Sequence, residues 1–137
     1  MKIGLVINPQ SGVGGSVALK GSDGAELQEL AKRRDGEPRG VERAHAFLER
    51  LLLIIDDLTK GVSWKTWGDE MGETVLQSYQ LDFEVLGHPE SPTVGADTSE
   101  ACSVISGAGV DILIFVGGDG TARNVLEGIS PGTLVLG

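Results

Sequence analysis

One short segment has the residue types of a phosphate-binding site. The apolar residues 112–116 are followed at once by Gly117-Gly118-Asp119-Gly120-Thr121. Because its glycines carry no Cβ, backbone N–H groups can approach an oxygen-rich ligand closely. Asp119 would repel a phosphate unless it had another task, such as holding a cation or taking a proton from an attacking hydroxyl. The segment therefore predicts phosphate chemistry with Asp119 as the reactive side chain.

The residues around this motif predict the strand and the helix that position it. Residues 112–116 are mostly β-branched and apolar without alternation, which indicates a central parallel strand covered on both faces. Thr121 is predicted to open the next helix as its N-cap, and that helix is predicted to run to about residue 128. The free N–H groups and the positive dipole end of a helix start favour an anion. The motif is thus expected between a buried strand and a helix N-terminus.

A second glycine-rich loop, Asn8-Pro-Gln-Ser-Gly-Val-Gly-Gly15, follows the predicted first strand at residues 2–7. Asn8 and Ser11 can cap its turn with their side chains. The glycines that could accept a positive φ are Gly12, Gly14 and Gly15. Alone, this loop is more typical of an ordinary turn. In a parallel sheet, however, both loops emerge at one edge, which favours a shared ligand.

Two familiar nucleotide motifs are not present in the sequence. The dinucleotide fingerprint requires a third glycine where this chain has Val17. A P-loop requires glycine before lysine, whereas the chain has Lys20 followed by Gly21. The two loops must therefore be interpreted without either motif.

Size and charge limit the classes of partner. At 137 residues with 40% hydrophobic residues, the chain is expected to form one domain, residues 1–137. A net charge of −9 disfavours nucleic acids and anionic membranes as partners. No apolar run approaches the roughly 20 residues of a membrane span. A small phosphorylated ligand is expected instead, bound through backbone N–H groups with help from Mg²⁺.

The single cysteine and the two histidines predict neither a disulfide nor a metal site. Cys102 is the single cysteine, and it is predicted to fill a helix face. His45 and His88 stand at unrelated spacings, so no metal-ligating residues are predicted.

No signal-peptide pattern precedes the first strand, so a cytoplasmic location is expected. The sequence leaves a homo-oligomer open.

Strand-like and helix-like segments alternate along the chain, which predicts a layered α/β fold with a mainly parallel sheet flanked by helices. The predicted strands are residues 2–7, 62–67, 83–86, 112–116 and 133–136, and the predicted helices are residues 25–33, 41–58, 69–79, 97–106 and 121–128. Asp97 and Glu100 are predicted to form a capping box. Because the sequence stops after an apolar strand that needs cover, it is expected to be a fragment of a longer protein.

The Gly117-Gly118-Asp119-Gly120-Thr121 motif resembles the signature of the ATP-dependent kinase superfamily that contains NAD kinases and the diacylglycerol and sphingosine lipid kinases. The segment from Asn8 to Gly15, followed by Leu19-Lys-Gly-Ser-Asp-Gly24, is similar to the N-terminus of a predicted polyphosphate/ATP-NAD kinase branch that includes relatives associated with acetoin catabolism. Lipid kinases share the Asn-Pro-x-Ser-Gly part. They usually continue with Leu-Asn-Glu where this chain has Ala122-Arg123-Asn124.

This resemblance implies the fold of the N-terminal domain of NAD kinases and phosphoryl transfer from ATP or polyphosphate, with Mg²⁺, to the 2′-hydroxyl of NAD. Asp119 would activate that hydroxyl. The residues implied in binding the nucleotide substrates are Asn8, Gly12, Gly14, Gly15, Gly117, Gly118, Gly120 and Thr121. NAD kinases carry a second, β-rich domain without a counterpart here, so the chain is expected to be one part of a two-domain kinase. The alternatives are a lipid kinase domain and a nucleotide-binding module without catalysis.

Overall fold

A five-stranded parallel sheet forms the centre of the computed structural model, which describes residues 1–12, 38–55 and 61–137. The strands are β1 (Lys2–Ile7), β2 (Ser63–Thr66), β3 (Phe83–Val85), β4 (Ile112–Val116) and β5 (Leu134–Leu136). Their order across the sheet is β3-β2-β1-β4-β5, and every neighbouring pair is parallel. The predicted layered α/β fold with a parallel sheet is confirmed.

Helices cover both faces of this sheet. They are α1 (Gly40–Ile54), α2 (Glu73–Ser78), α3 (Gly95–Gly107) and α4 (Asp119–Gly128), with a short 3₁₀ turn at Asp69–Met71. On one face, Leu5 of β1 packs in a cluster with Leu48 of α1 and Leu76 of α2. On the other face, Val6 packs in a cluster with Ile105 of α3 and Val125 of α4. Successive residues of β1 point into two cores, which explains why its sequence is apolar without alternation.

The chain reverses its direction of travel across the sheet between β1 and β4. It passes from β1 outward to β2 and β3, and then crosses back to place β4 on the other side of β1. Ile7 at the end of β1 pairs with Val116 at the end of β4. The loops after these two strands therefore start side by side, at the position where open α/β sheets bind their ligands.

Gly72 divides the helix that the sequence predicts over residues 69–79. It adopts φ 149°, and a Cβ there would overlap the Thr66 hydroxyl beneath it. The predicted single helix is wrong, because this backbone conformation separates the 3₁₀ turn from α2. The other described helices and all five strands lie within a few residues of their predicted bounds.

The predicted capping box at Asp97 and Glu100 is also wrong. α3 begins at Gly95, so Asp97 occupies the third helical position. Its buried carboxylate accepts hydrogen bonds from Val94 N at 2.7 Å and Glu90 N at 3.0 Å. Asp97, as the third helical residue, therefore holds the loop before α3 against the first turn of the helix.

Two sequence predictions fall on residues that the structure does not describe. They are the helix over residues 25–33 and the end of the first predicted long helix at residue 58, whereas α1 is described to Ile54.

The last strand, β5, lies at the edge of the sheet, with Leu134 62% and Leu136 48% exposed. Among the described residues, no helix combines the length and the apolar character needed to cross a membrane.

Candidate functional site

The glycine motif forms the junction between β4 and α4. Gly118 is the N-cap residue, with extended φ −107° and ψ −164°, and Asp119 is the first residue of the helix. Thr121 is thus the third helical residue, and its prediction as the N-cap is wrong. Its hydroxyl instead accepts a hydrogen bond from Gly118 N at 3.3 Å. A hydroxyl three residues into the helix satisfies the cap residue's N–H, as the side chain at this position does in a capping box.

Thr121 also joins the two glycine-rich loops. Asn8 Nδ2 donates to Thr121 Oγ1 at 2.9 Å, and Asn8 N donates to the Val116 carbonyl at 2.9 Å. Asn8 Oδ1 accepts from Gln10 N at 3.0 Å, which closes the turn after β1. Thr121 is buried, and its hydrogen bond to Asn8 is partly shielded from solvent. The structure therefore brings the loops after β1 and β4 together, as a parallel sheet requires.

Two adjacent glycines in the motif have different surroundings. A Cβ on Gly117 would overlap the Thr121 side chain, so Gly117 allows Thr121 to lie directly against the end of β4. A Cβ on exposed Gly118 would meet nothing within 4 Å in the structure. Gly117 thus has a packing role, whereas Gly118 leaves the backbone open on the solvent side of the junction.

Asp119 is exposed at the N-terminus of α4. Among the described residues, its carboxylate takes part in no hydrogen bond or ion pair. A carboxylate in a first helical turn is stabilised by the helix dipole. That effect accounts for the position without any ligand, and the exposed carboxylate could also contact a cation or a substrate hydroxyl. Arg123, one turn further on, is exposed as well.

The loop after β1 reaches the start of a second helix. Gly12 has φ 93°, which favours glycine, whereas Gly14 and Gly15 lie outside the described residues. Ser11 is 2% exposed, and its hydroxyl has no partner among the described residues. A Cβ on Gly40 at the start of α1 would lie 2.9 Å from that hydroxyl. Asn8, rather than Ser11, therefore caps this turn, and Ser11 lies against the N-terminus of α1.

An apolar cleft of about 330 Å³ lies beside the glycine motif. It extends from Gly117 along the end of β4, between α1 and β5. Its lining includes Arg43, Phe47, Ile114, Val116, Gly117 and Leu136. A volume at this lower end of the range for ligand pockets suits one flat ring system. Sequence reasoning missed the cleft because its walls come from elements far apart in the chain.

The remaining residues considered from the sequence lie elsewhere. Cys102 is buried in α3, and burial raises the pKa of its thiol to about 12, so the thiol stays protonated at neutral pH. This fits its predicted role in packing. His45 Nδ1 lies 3.1 Å from the Tyr79 hydroxyl, between α1 and the end of α2. Burial raises the pKa of Tyr79, and the nearby Glu49 adds to this. These side chains contribute to structure.

The strand order, the helices on both faces and the glycine-rich strand-to-helix turn define a doubly wound α/β domain. A family model described as the ATP-NAD kinase N-terminal domain matches residues 3–137. The chain therefore belongs to the ATP-NAD kinase N-terminal domain family. Neither a curated protein nor a solved structure matches it.

Family membership supports a kinase-type function, that of a phosphotransferase. The NAD kinase family uses ATP and NAD with a divalent metal. The polyphosphate branch, the substrate and the phosphoryl donor of this chain remain predictions.

Proposed function

We propose that this chain supplies the catalytic carboxylate and the phosphate-binding loops of an ATP-NAD kinase. The enzyme would transfer a phosphoryl group from ATP or polyphosphate to the 2′-hydroxyl of NAD. The observation that carries this proposal is the Asn8–Thr121 hydrogen bond, which joins two glycine-rich loops next to exposed Asp119. Family membership supports the same chemistry.

The first N–H groups of α4 are the candidate hydrogen-bond donors to the phosphates. Gly118 N already donates to Thr121 Oγ1, so it is not free for a ligand in this arrangement. The N–H groups of Asp119, Gly120 and Thr121 are the first three of α4 and have no carbonyl partner within the helix. We assign the phosphate contacts to these three groups, with the positive end of the helix dipole behind them.

Asp119 would act on the acceptor. In the transfer, the 2′-hydroxyl oxygen forms a bond to the terminal phosphorus while the bond from that phosphorus to the bridging oxygen breaks. The hydroxyl proton passes to the Asp119 carboxylate, and the shortened donor leaves with the bridging oxygen. Mg²⁺, when bound, would offset the negative charge of the phosphates. The protein, with its net charge of −9, is itself acidic and would repel them. Exposed carboxylate oxygens at Asp119 fit a Mg²⁺ ligand as well as a base.

The cleft beside Gly117 gives the nucleotide a second contact. Phe47 and Ile114 offer apolar surface, and Arg43 offers one cation at the rim of the cleft. A purine or nicotinamide ring in this cleft would leave its phosphates close to the N-terminus of α4. The proposed partners are accordingly small nucleotides.

The test compares Asp119→Asn with Glu127→Gln in the longest form of the protein. Both changes replace an exposed carboxylate of α4 with an amide, but Glu127 lies at the other end of the helix. We expect Asp119→Asn to lower the rate of NADP⁺ formation from NAD and ATP by about 10²–10⁴-fold, the usual contribution of general acid–base catalysis. Glu127→Gln should retain the rate. Undiminished turnover by a folded Asp119→Asn variant would remove Asp119 from the chemistry.

The same assay separates the alternatives. The Asn-Pro-Gln-Ser-Gly segment at residues 8–12 is shared with lipid kinases, so phosphorylation of a diacylglycerol in place of NAD would favour that acceptor. ATP binding measured by calorimetry without any product would instead support a nucleotide-binding module.

A further inference from the structure

A second group of polar side chains lies at the same edge of the sheet, after β2 and β3. Asp69 follows β2, Glu73 is the first residue of α2, and His88 follows β3. One ligand atom from each lies within 4.8 Å of the others. Sequence spacing gave no signal for this group, because β3 stands between the two carboxylates and the imidazole.

Backbone packing fixes the position of the imidazole. A Cβ on Gly68 would overlap the His88 ring at Nδ1, so the ring lies directly on the Gly68 backbone. Gly68 N donates to the Gly87 carbonyl at 2.8 Å, which ties the end of β2 to the residue before His88. On the other side, a Cβ on Gly87 would overlap the Trp67 ring. Glycine at position 68 thus leaves room for the His88 ring, and glycine at position 87 leaves room for the Trp67 ring.

The two carboxylates are held toward the same point. Asp69 N donates to Glu73 Oε2 at 2.9 Å, which orients the Glu73 side chain. Asp69 itself adopts φ 55°, in the left-handed region that non-glycine residues seldom occupy. Within the described ranges, no lysine or arginine forms an ion pair with Asp69 or Glu73. Two nearby carboxylates in a protein of net charge −9 repel each other unless a cation lies between them.

We propose that Asp69, Glu73 and His88 bind one divalent transition-metal ion. Imidazole nitrogen with carboxylate oxygen suits ions such as Mn²⁺, Fe²⁺, Co²⁺ and Zn²⁺, whereas Mg²⁺ and Ca²⁺ prefer oxygen ligands alone. Bonds of about 2.0–2.2 Å place two ligands of one ion at most about 4.4 Å apart. The ligand atoms lie within 4.8 Å of one another, so binding an ion would draw them only slightly closer together.

The ion would join two loops and keep positions open. It would link the β2–α2 connection, through Asp69 and Glu73, to the segment after β3, through His88. Three protein ligands leave further coordination positions for water or for an oxygen of a bound ligand. This site is separate from Asp119, which follows β4 on the other side of β1. The proposal does not depend on the kinase activity.

The test titrates metal-free protein with Co²⁺, followed by its visible absorption, and with Mg²⁺ by calorimetry. One Co²⁺ should bind per chain, and more tightly than Mg²⁺. His88→Ala and Glu73→Gln should each weaken Co²⁺ binding about tenfold or more. Glu70→Gln is the matched control, because Glu70 is an exposed carboxylate in the same turn but lies outside the ligand group.

A second variant keeps all three ligands. Gly68→Ala places a methyl group against the imidazole while Gly68 has φ −63° and ψ 167°, which alanine adopts without strain. It should also weaken Co²⁺ binding about tenfold. Far-ultraviolet circular dichroism of each metal-free variant verifies its fold. Equal Co²⁺ affinity in folded His88→Ala, or no Co²⁺ binding by the parent chain at millimolar concentration, would overturn the proposal.

Discussion

The loops after β1 and β4 and the loops after β2 and β3 share one edge of the sheet but present opposite chemistry. The first pair is rich in glycine, ends at a helix N-terminus and offers backbone N–H groups beside Asp119. The second pair offers the carboxylates of Asp69 and Glu73 with the imidazole of His88. The first arrangement suits an anion and the second suits a cation. Strands of one sheet can therefore position separate sites according to the loop that follows each strand.

The two pairs also differ in how they are held together. Two part-buried hydrogen bonds to Thr121 Oγ1, from Asn8 Nδ2 and Gly118 N, join the first pair. Close packing of His88 on Gly68, with one backbone hydrogen bond from Gly68 to Gly87, joins the second. The contact between the loops after β1 and β4 should therefore be more sensitive to the loss of a single hydroxyl than the contact between the loops after β2 and β3.

The largest effect in the first pair is expected for Gly117→Ala. A methyl group there would overlap Thr121, so the junction between β4 and α4 would have to shift. We expect a loss of about 3 kcal/mol in the free energy of unfolding, at the upper end of overpacking costs. Urea denaturation of the two proteins measures it.

Gly118→Ala is the matched control for that substitution. It adds the same methyl group one residue later, into open space and at a backbone conformation that alanine accepts. Its free energy of unfolding should stay close to that of the parent chain. A Gly117→Ala variant as stable as Gly118→Ala would show that Thr121 does not depend on the close approach at Gly117.

A smaller effect is expected for Thr121→Val. Valine keeps the shape of threonine but leaves Asn8 Nδ2 and Gly118 N without their shared acceptor. Loss of a buried hydrogen-bond partner costs about 1–3 kcal/mol, so we expect about 2 kcal/mol in the free energy of unfolding.

Thr121→Ser distinguishes the contribution of the hydroxyl to stability from that of the methyl group. It retains the acceptor and should recover most of the stability lost in Thr121→Val. If valine and serine at position 121 gave equal stability, the hydrogen bonds to Asn8 and Gly118 would not be what joins the two loops.

The parts of the fold that follow from local pattern could be predicted from the sequence. The continuous apolar run at residues 112–116 predicted β4 as a buried parallel strand, and the predicted helix over residues 41–58 overlaps α1. Parallel strands then implied that Asn8 and the glycine motif share an edge. In each case the pattern lies within one element, or follows from the rule that parallel strands end at the same edge.

The parts that depend on contacts between distant segments could not be predicted. The break at Gly72 coincides with its close approach to the Thr66 side chain, which lies outside residues 69–79. The Asp97 carboxylate accepts hydrogen bonds from Glu90 N and Val94 N, which precede it in the chain. Its spacing to Glu100 therefore did not indicate a capping box. His88 meets Asp69 only because β2 and β3 are neighbours in the sheet.

Nuclear magnetic resonance of the ¹⁵N-labelled chain, titrated with ATP and Mg²⁺, tests the central claim most directly. We predict that the largest amide shifts occur at residues 119–121, where the nucleotide phosphates are proposed to bind, with smaller shifts at Asn8, which is hydrogen-bonded to Thr121. The amides of Gly68 and His88, at the other pair of loops, should change little. Shifts confined to the β2 and β3 loops, or no shifts at saturating ATP, would contradict a phosphate site between β1 and β4.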